Sequence, residues 1–122
     1  MAKILVVDDA KFLRVTLGSI MKNAAHDVVG EAENGEEAIQ QFKELKPDLI
    51  TMDITMPIMN GIDAIKEIIR LDDTVKIVVC SAVGQKKVVV EAIEAGAKDF
   101  IVKPFNESHV LDTINRVLER TE

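Results

Sequence analysis

Apolar and polar residues alternate along the chain between two kinds of segment. Five short apolar runs, KILVV (3–7), DVVGEA (27–32), DLITM (48–52), KIVVC (76–80) and DFIV (99–102), are bounded by charged or turn-forming residues. Four of them are continuous, the pattern of strands covered on both faces. Other segments repeat their apolar residues at helical spacing. One stripe holds Leu13, Leu17, Ile20, Met21 and Ala24, and a second Ala38, Ile39, Phe42 and Leu45. Ile62, Ile65, Ile68 and Ile69 form another, and Val110, Leu111, Ile114, Val117 and Leu118 the last. Asn34 with Glu37 three residues on predicts a capping-box variant, and Pro47 follows that helix. The fourth helix carries Val88, Val89 and Val90 in a row. At about 100° per residue these cannot all face a sheet. Val88, Val89, Ala92 and Ile93 make the better inward arc, which leaves Val90 outside.

Strict alternation of strand and helix predicts an α/β fold, with a parallel sheet covered by helices on both faces. Five strands suggest one (βα)5 domain over residues 1–122, doubly wound in the flavodoxin-like order 2-1-3-4-5. In such sheets function sits beyond the carboxyl ends of the strands, beside the first one.

The residues at those ends are chemically distinctive. Asp8 and Asp9 follow the first strand, Asp53 the third and Ser81 the fourth, while the fifth ends at Lys103, before Pro104. Two like charges about 4 Å apart cost about 4 kcal/mol at an effective dielectric near 20. One lysine does not offset three carboxylates. A hard divalent cation does, and an all-oxygen site with room for water suits Mg²⁺. Such a site leaves coordination positions for a phosphoryl oxygen, and a carboxylate there can attack phosphorus to form an acyl phosphate. Lys103 and Ser81 would hold phosphoryl oxygens, and Asp53 would be the acceptor. Taken singly, Asp8-Asp9 or Asp53 also reads as a helix cap; five such residues on one edge do not.

Composition narrows the classes. A net charge of −6 over 122 residues disfavours binding to a nucleic-acid backbone, and the absence of Trp and Tyr disfavours a base-stacking platform. The apolar runs are too short to span a membrane. Cys80, the sole cysteine, lies among apolar neighbours and reads as a buried thiol in a reducing cytoplasm. His26 and His109 show no metal-ligand spacing.

The stretches VVDDAKF, DLITMDITMPIMNGIDAI, VVCSAVGQ and AGAKDFIVKPF resemble the receiver domains of two-component response regulators, and in particular stand-alone chemotaxis regulators of the CheY type. The resemblance covers the whole chain. It implies that a histidine kinase phosphorylates Asp53, that Asp9 ligates Mg²⁺ directly and Asp8 largely through water, and that the backbone carbonyl of Thr55 is a further ligand. Ser81 and Lys103 would bind the phosphoryl group. Phe100 fills the place of an aromatic that moves inward when the hydroxyl residue swings toward phosphate; with Ser81 it forms the switch. The resemblance also implies a cis Lys103-Pro104 bond. Thr55 and Val83 occupy positions that tune hydrolysis, and Val83 has no polar atom with which to position water. Lys86, Lys87, Val90 and Phe100 would lie on the output surface. The implied partners are a chemotaxis-type kinase, a motility switch or adaptor protein and a phosphatase, for a monomer that loses its phosphate slowly and is not a conventional enzyme. Two alternatives stand beside this: a phosphorelay intermediate, and a haloacid-dehalogenase-like phosphohydrolase. The latter would place its nucleophile after the first strand with an acid two positions on, where this chain has Thr55 after Asp53.

Overall fold

The computed structural model describes residues 1–119. Strands β1 (Lys3–Val7), β2 (Asp27–Ala32), β3 (Leu49–Asp53), β4 (Lys76–Ser81) and β5 (Asp99–Val102) alternate with helices α1 (Lys11–Asn23), α2 (Gly35–Leu45), α3 (Gly61–Leu71), α4 (Lys86–Ala95) and α5 (Glu107–Glu119). All strand pairs are parallel, in the order β2-β1-β3-β4-β5.

Side-chain alternation along the strands divides the core in two. Leu5, Val7, Ile50, Met52, Ile77 and Val79 face one side and pack with Ala38, Phe42, Ala64, Ile65, Ile68, Val89 and Ala92 from α2, α3 and α4. Ile4, Val6, Leu49, Val78, Cys80 and Ile101 face the other, against Leu17, Ile20 and Met21 of α1 and Val110, Ile114 and Val117 of α5. Burial on both sides is why the strand sequences are continuous apolar runs.

The capping variant forms as expected: the Asn34 side chain accepts from the Glu37 amide at 2.9 Å, and Glu37 accepts from the Glu33 amide at 3.1 Å. Neither Asp8 nor Asp53 caps a helix; the residue preceding α1 is Ala10, and Asn60 caps α3. Strand ends differ by a residue from the apolar runs. Pairing extends to Asp53 opposite Cys80 and Ser81 opposite Val102, so Asp53 and Ser81 are the last residues of β3 and β4. The ladder, not hydrophobicity, ends these strands.

The inward arc of α4 is also rotated from expectation. Val89 and Ala92 are buried, with Val88 and Ala95 partly packed beside them. Ile93 is 41% exposed, because it lies about 100° round the helix from Ala92. It joins Val90, 49% exposed, in one apolar strip.

Candidate functional site

The parallel ladder brings β1, β3, β4 and β5 to one edge, and Asp8, Asp9, Asp53, Ser81 and Lys103 all arrive there. Asp8, Asp53 and Ser81 are buried, whereas Asp9 is exposed. Asp8, Asp9 and Asp53 each offer a carboxylate oxygen within 4.8 Å of the others. Lys103 Nζ lies 3.0 Å from Asp8 Oδ2 and 3.0 Å from Asp53 Oδ1, so one ammonium bridges two acids. Its own backbone amide donates to the Ser81 carbonyl at 2.8 Å, which fixes the loop after β5 against the end of β4. The Lys103-Pro104 bond is cis.

These positions perturb titration in opposite senses. Burial pushes the Asp53 carboxyl up to about 6, Asp8 adds to the rise, and the bond from Lys103 opposes it. Burial pulls the Lys103 ammonium down, but its hydrogen bonds and charge attraction to Asp8 and Asp53 outweigh that, and it is held above its ordinary value. Asp53 thus carries unrelieved negative charge even with its lysine in contact. An all-oxygen donor set, two buried members and one open to solvent, suits a hard divalent cation that keeps some of its water. Mg²⁺ fits these residues.

Asp8 is held at four atoms. Its amide donates to the Ala32 carbonyl, 3.0 Å, and Oδ1 accepts the Ala10 amide, 2.9 Å. Oδ2 meets Lys103, and its carbonyl accepts Arg14 Nη1 at 2.7 Å. Arg14 is itself steadied by Glu31, 2.8 Å from its Nε, and by Glu33 at 3.9 Å. Sequence reasoning missed Arg14, because nothing in its spacing ties it to a backbone carbonyl six residues earlier. It also missed Gly61, whose amide donates to the Ile54 carbonyl at 2.8 Å and closes the loop after β3; a glycine directly after a helix-capping Asn was the available signal.

The remaining expected residues lie nearby or on the adjoining face. Thr55 is exposed on the loop after Asp53. Phe100 points outward, 41% exposed. A groove of about 640 Å³ joins Ser81 to Lys86, Val90, Ile93 and Phe100; Lys87 is exposed on the same helix. Cys80 is fully buried, and burial pushes its thiol up to about 12, which leaves it un-ionised. His26 is partly buried and accepts the Ala2 amide; His109 is exposed. Among the described residues, no helix is long and apolar enough to cross a membrane.

The chain is similar to known proteins along nearly its whole length. The response regulator receiver domain model matches residues 4–115. The chain is 60% identical to chemotaxis protein CheY of Thermotoga maritima over 94% of its own length and 96% of that protein's. It is 53% identical to chemotaxis protein CheY of Bacillus subtilis, over 95% and 97%. It also superposes on a chain of the CheX-CheY-BeF3-Mg complex from Borrelia burgdorferi with a TM-score of 0.93, at 33% identity, covering 98% of this chain and 90% of that one. Such matches along nearly the whole length do not favour the phosphohydrolase or relay readings, and the chain belongs to the response regulator receiver domain family as a phosphoacceptor regulator of the chemotaxis kind.

Proposed function

We propose that Asp53 is the phosphoacceptor, that Asp8, Asp9, Asp53 and the Thr55 carbonyl hold Mg²⁺, and that Ser81 and Lys103 receive the phosphoryl group. One observation carries this reading: three carboxylates offer oxygens within 4.8 Å of one another, and the Lys103 ammonium lies 3.0 Å from two of them. Bound Mg²⁺ supplies positive charge to the phosphoryl oxygens. The protein's own groups supply the rest. An Asp53 oxygen forms the new O–P bond while the P–N bond of a phosphohistidine breaks, its electron pair staying on the imidazole. The Lys103 ammonium shifts from carboxylate to phosphoryl oxygen, and the Ser81 hydroxyl donates to another.

Phosphate held in this way favours a conformation in which Ser81 turns toward it and Phe100 moves inward. The consequence is felt on the α4–β5 face, where Lys86, Lys87, Val90 and Phe100 meet a motility switch or adaptor protein. The chain works as a cytoplasmic monomer, takes phosphate from a chemotaxis histidine kinase, and loses it by slow hydrolysis hastened by a phosphatase.

Incubation with acetyl phosphate and Mg²⁺, followed by mass spectrometry, tests the acceptor. Wild type gains about 80 Da as one acid-labile phosphoryl group, and Asp53→Asn gains none. Unchanged labelling of Asp53→Asn overturns the assignment.

A further inference from the structure

The loop that follows Asp53 carries a residue in the wrong conformation for its chemistry. Ile58 has φ 67, and the Met59 amide donates across it to the Pro57 carbonyl at 2.7 Å. This is the γ-turn of the rare, strained hand, centred on a β-branched side chain for which positive φ is a true outlier. The Ile58 side chain is 75% exposed, so its burial does not offset that strain. Phe12 and Val83 are equally exposed, but their backbones carry no such strain. Gly, Asn or Asp at this position would lower the folding cost and remove the apolar surface together.

The neighbourhood of Ile58 has a definite character. The loop is fastened to α2 by the Gly35 amide, which donates to the Met59 carbonyl at 2.9 Å. A shallow groove of about 340 Å³ runs from Ile58 along Glu36, Glu37 and Gln40. An apolar knob beside carboxylates complements a surface with a hydrophobic socket and basic neighbours. The same loop is strapped back onto β3 by the bond from Gly61 to Ile54, so Ile58 stands at the carboxyl edge of the sheet, five residues after Asp53.

We propose that Ile58 and the acidic start of α2 form a docking surface for the phosphohistidine-bearing kinase, which meets it through an apolar socket flanked by Lys or Arg. A protein that delivers phosphate to Asp53 approaches the same edge of the sheet, whereas a small phosphodonor need not touch Ile58. The inference rests on the phosphoacceptor reading, and two donors separate them. Phosphotransfer is measured from the autophosphorylated chemotaxis kinase of the same organism and, in parallel, from acetyl phosphate. Ile58→Asn tolerates the turn but lacks the knob, and Glu36→Lys reverses one charge. Each raises the KM for the kinase about tenfold, the worth of one apolar contact or one close charge pair, with kcat and acetyl phosphate labelling unchanged. Ile58→Gly raises Tm by several degrees while weakening transfer from the kinase, an opposition that a purely structural residue would not show. Wild-type KM in both Ile58→Asn and Glu36→Lys, or an equal loss with acetyl phosphate, overturns the docking surface. Failure of wild type to label with acetyl phosphate overturns the phosphoacceptor reading beneath it.

Discussion

Gly61 passes so close to Asp53 that a Cβ on the glycine would stand 2.2 Å from the aspartate's carbonyl oxygen. Both partners are backbone-anchored, so neither can rotate away. The contact holds the last residue of β3 against the first turn of α3 and sets where the Asp53 side chain emerges. Gly61→Ala therefore forces the two elements apart. It should destabilise the protein by about 3 kcal/mol, the upper part of the overpacking range, and reduce acetyl phosphate labelling of whatever folds. Urea denaturation and mass spectrometry check both, and wild-type stability would show that the loop shifts freely.

The charge balance around Asp53 predicts an unusual pH dependence in metal-free protein. A carboxyl raised from 3.8 to about 6 binds a proton in the native state that the unfolded chain has released. Its contribution to stability is present below pH 4 and lost as pH rises through 6. Lys103, raised above 10.5, keeps its own contribution throughout this window and loses it only at higher pH. Asp53→Asn removes the Asp53 slope. In EDTA, the stability gained by Asp53→Asn over wild type should grow by about 2 kcal/mol between pH 4 and pH 8, most of the full shift at 1.36 kcal/mol per pH unit. Urea midpoints at the two pH values measure it, and a constant difference contradicts the charge crowding.

Most of this site could be read before the fold was known, because strand ends in an alternating β/α chain share one edge and their side chains advertise their chemistry. Asp8, Asp53, Ser81 and Lys103 were legible for that reason. Arg14 was not, since it acts through the Asp8 carbonyl, and backbone acceptors leave no mark in a sequence. The strand limits at Asp53 and Ser81 depend on hydrogen-bond pairing that continues past the apolar run. Ile93 was misplaced because a helix of ten residues with apolar groups on most sides has no unique inward arc; tertiary packing of Val89 and Ala92 chose it.

Arg14 offers a test of how far the acidic nest is positioned from behind. Its guanidinium links the Asp8 carbonyl to Glu31, fixing the peptide that leads into Asp9. Arg14→Gln should weaken Mg²⁺ binding about tenfold, as the loss of a supporting partner typically does at a metal site. Arg14→Lys should recover only part, since a point charge cannot bond both groups in the same fork. Titration calorimetry reads the dissociation constants; an Arg14→Gln value equal to wild type would make the residue a surface clasp only.

The apolar strip on α4 predicts separation of phosphorylation from output. Val90 and Ile93 are exposed beside Phe100 in one groove, whose lining includes none of the three acids. Val90→Glu should reduce binding of the beryllofluoride-loaded protein to the proposed output partner by about tenfold, while acetyl phosphate labelling keeps its wild-type rate. A pull-down with purified components shows the effect, and undiminished binding would move the output surface elsewhere.

Thr51 and Thr113 are fully buried, and neither hydroxyl has a hydrogen-bond partner among the described residues. Thr51 lies in the middle of β3, paired with Val6 on one side and Val78 on the other, where the strand is otherwise apolar. A buried hydroxyl without a partner costs its desolvation and returns nothing, so the isosteric valine should be better tolerated than the native residue. Thr51→Val is expected to stabilise by about 1 kcal/mol. Thr51→Ser keeps the hydroxyl, deletes the methyl and leaves a small void, so it should destabilise by a similar amount. The order Val above Thr above Ser in urea midpoint identifies the hydroxyl as unsatisfied. The reverse order of Val and Thr would mean that the Thr51 hydroxyl finds a partner in solution, and the centre of the sheet would then hold a polar contact that helps to fix β3, and with it Asp53, in register.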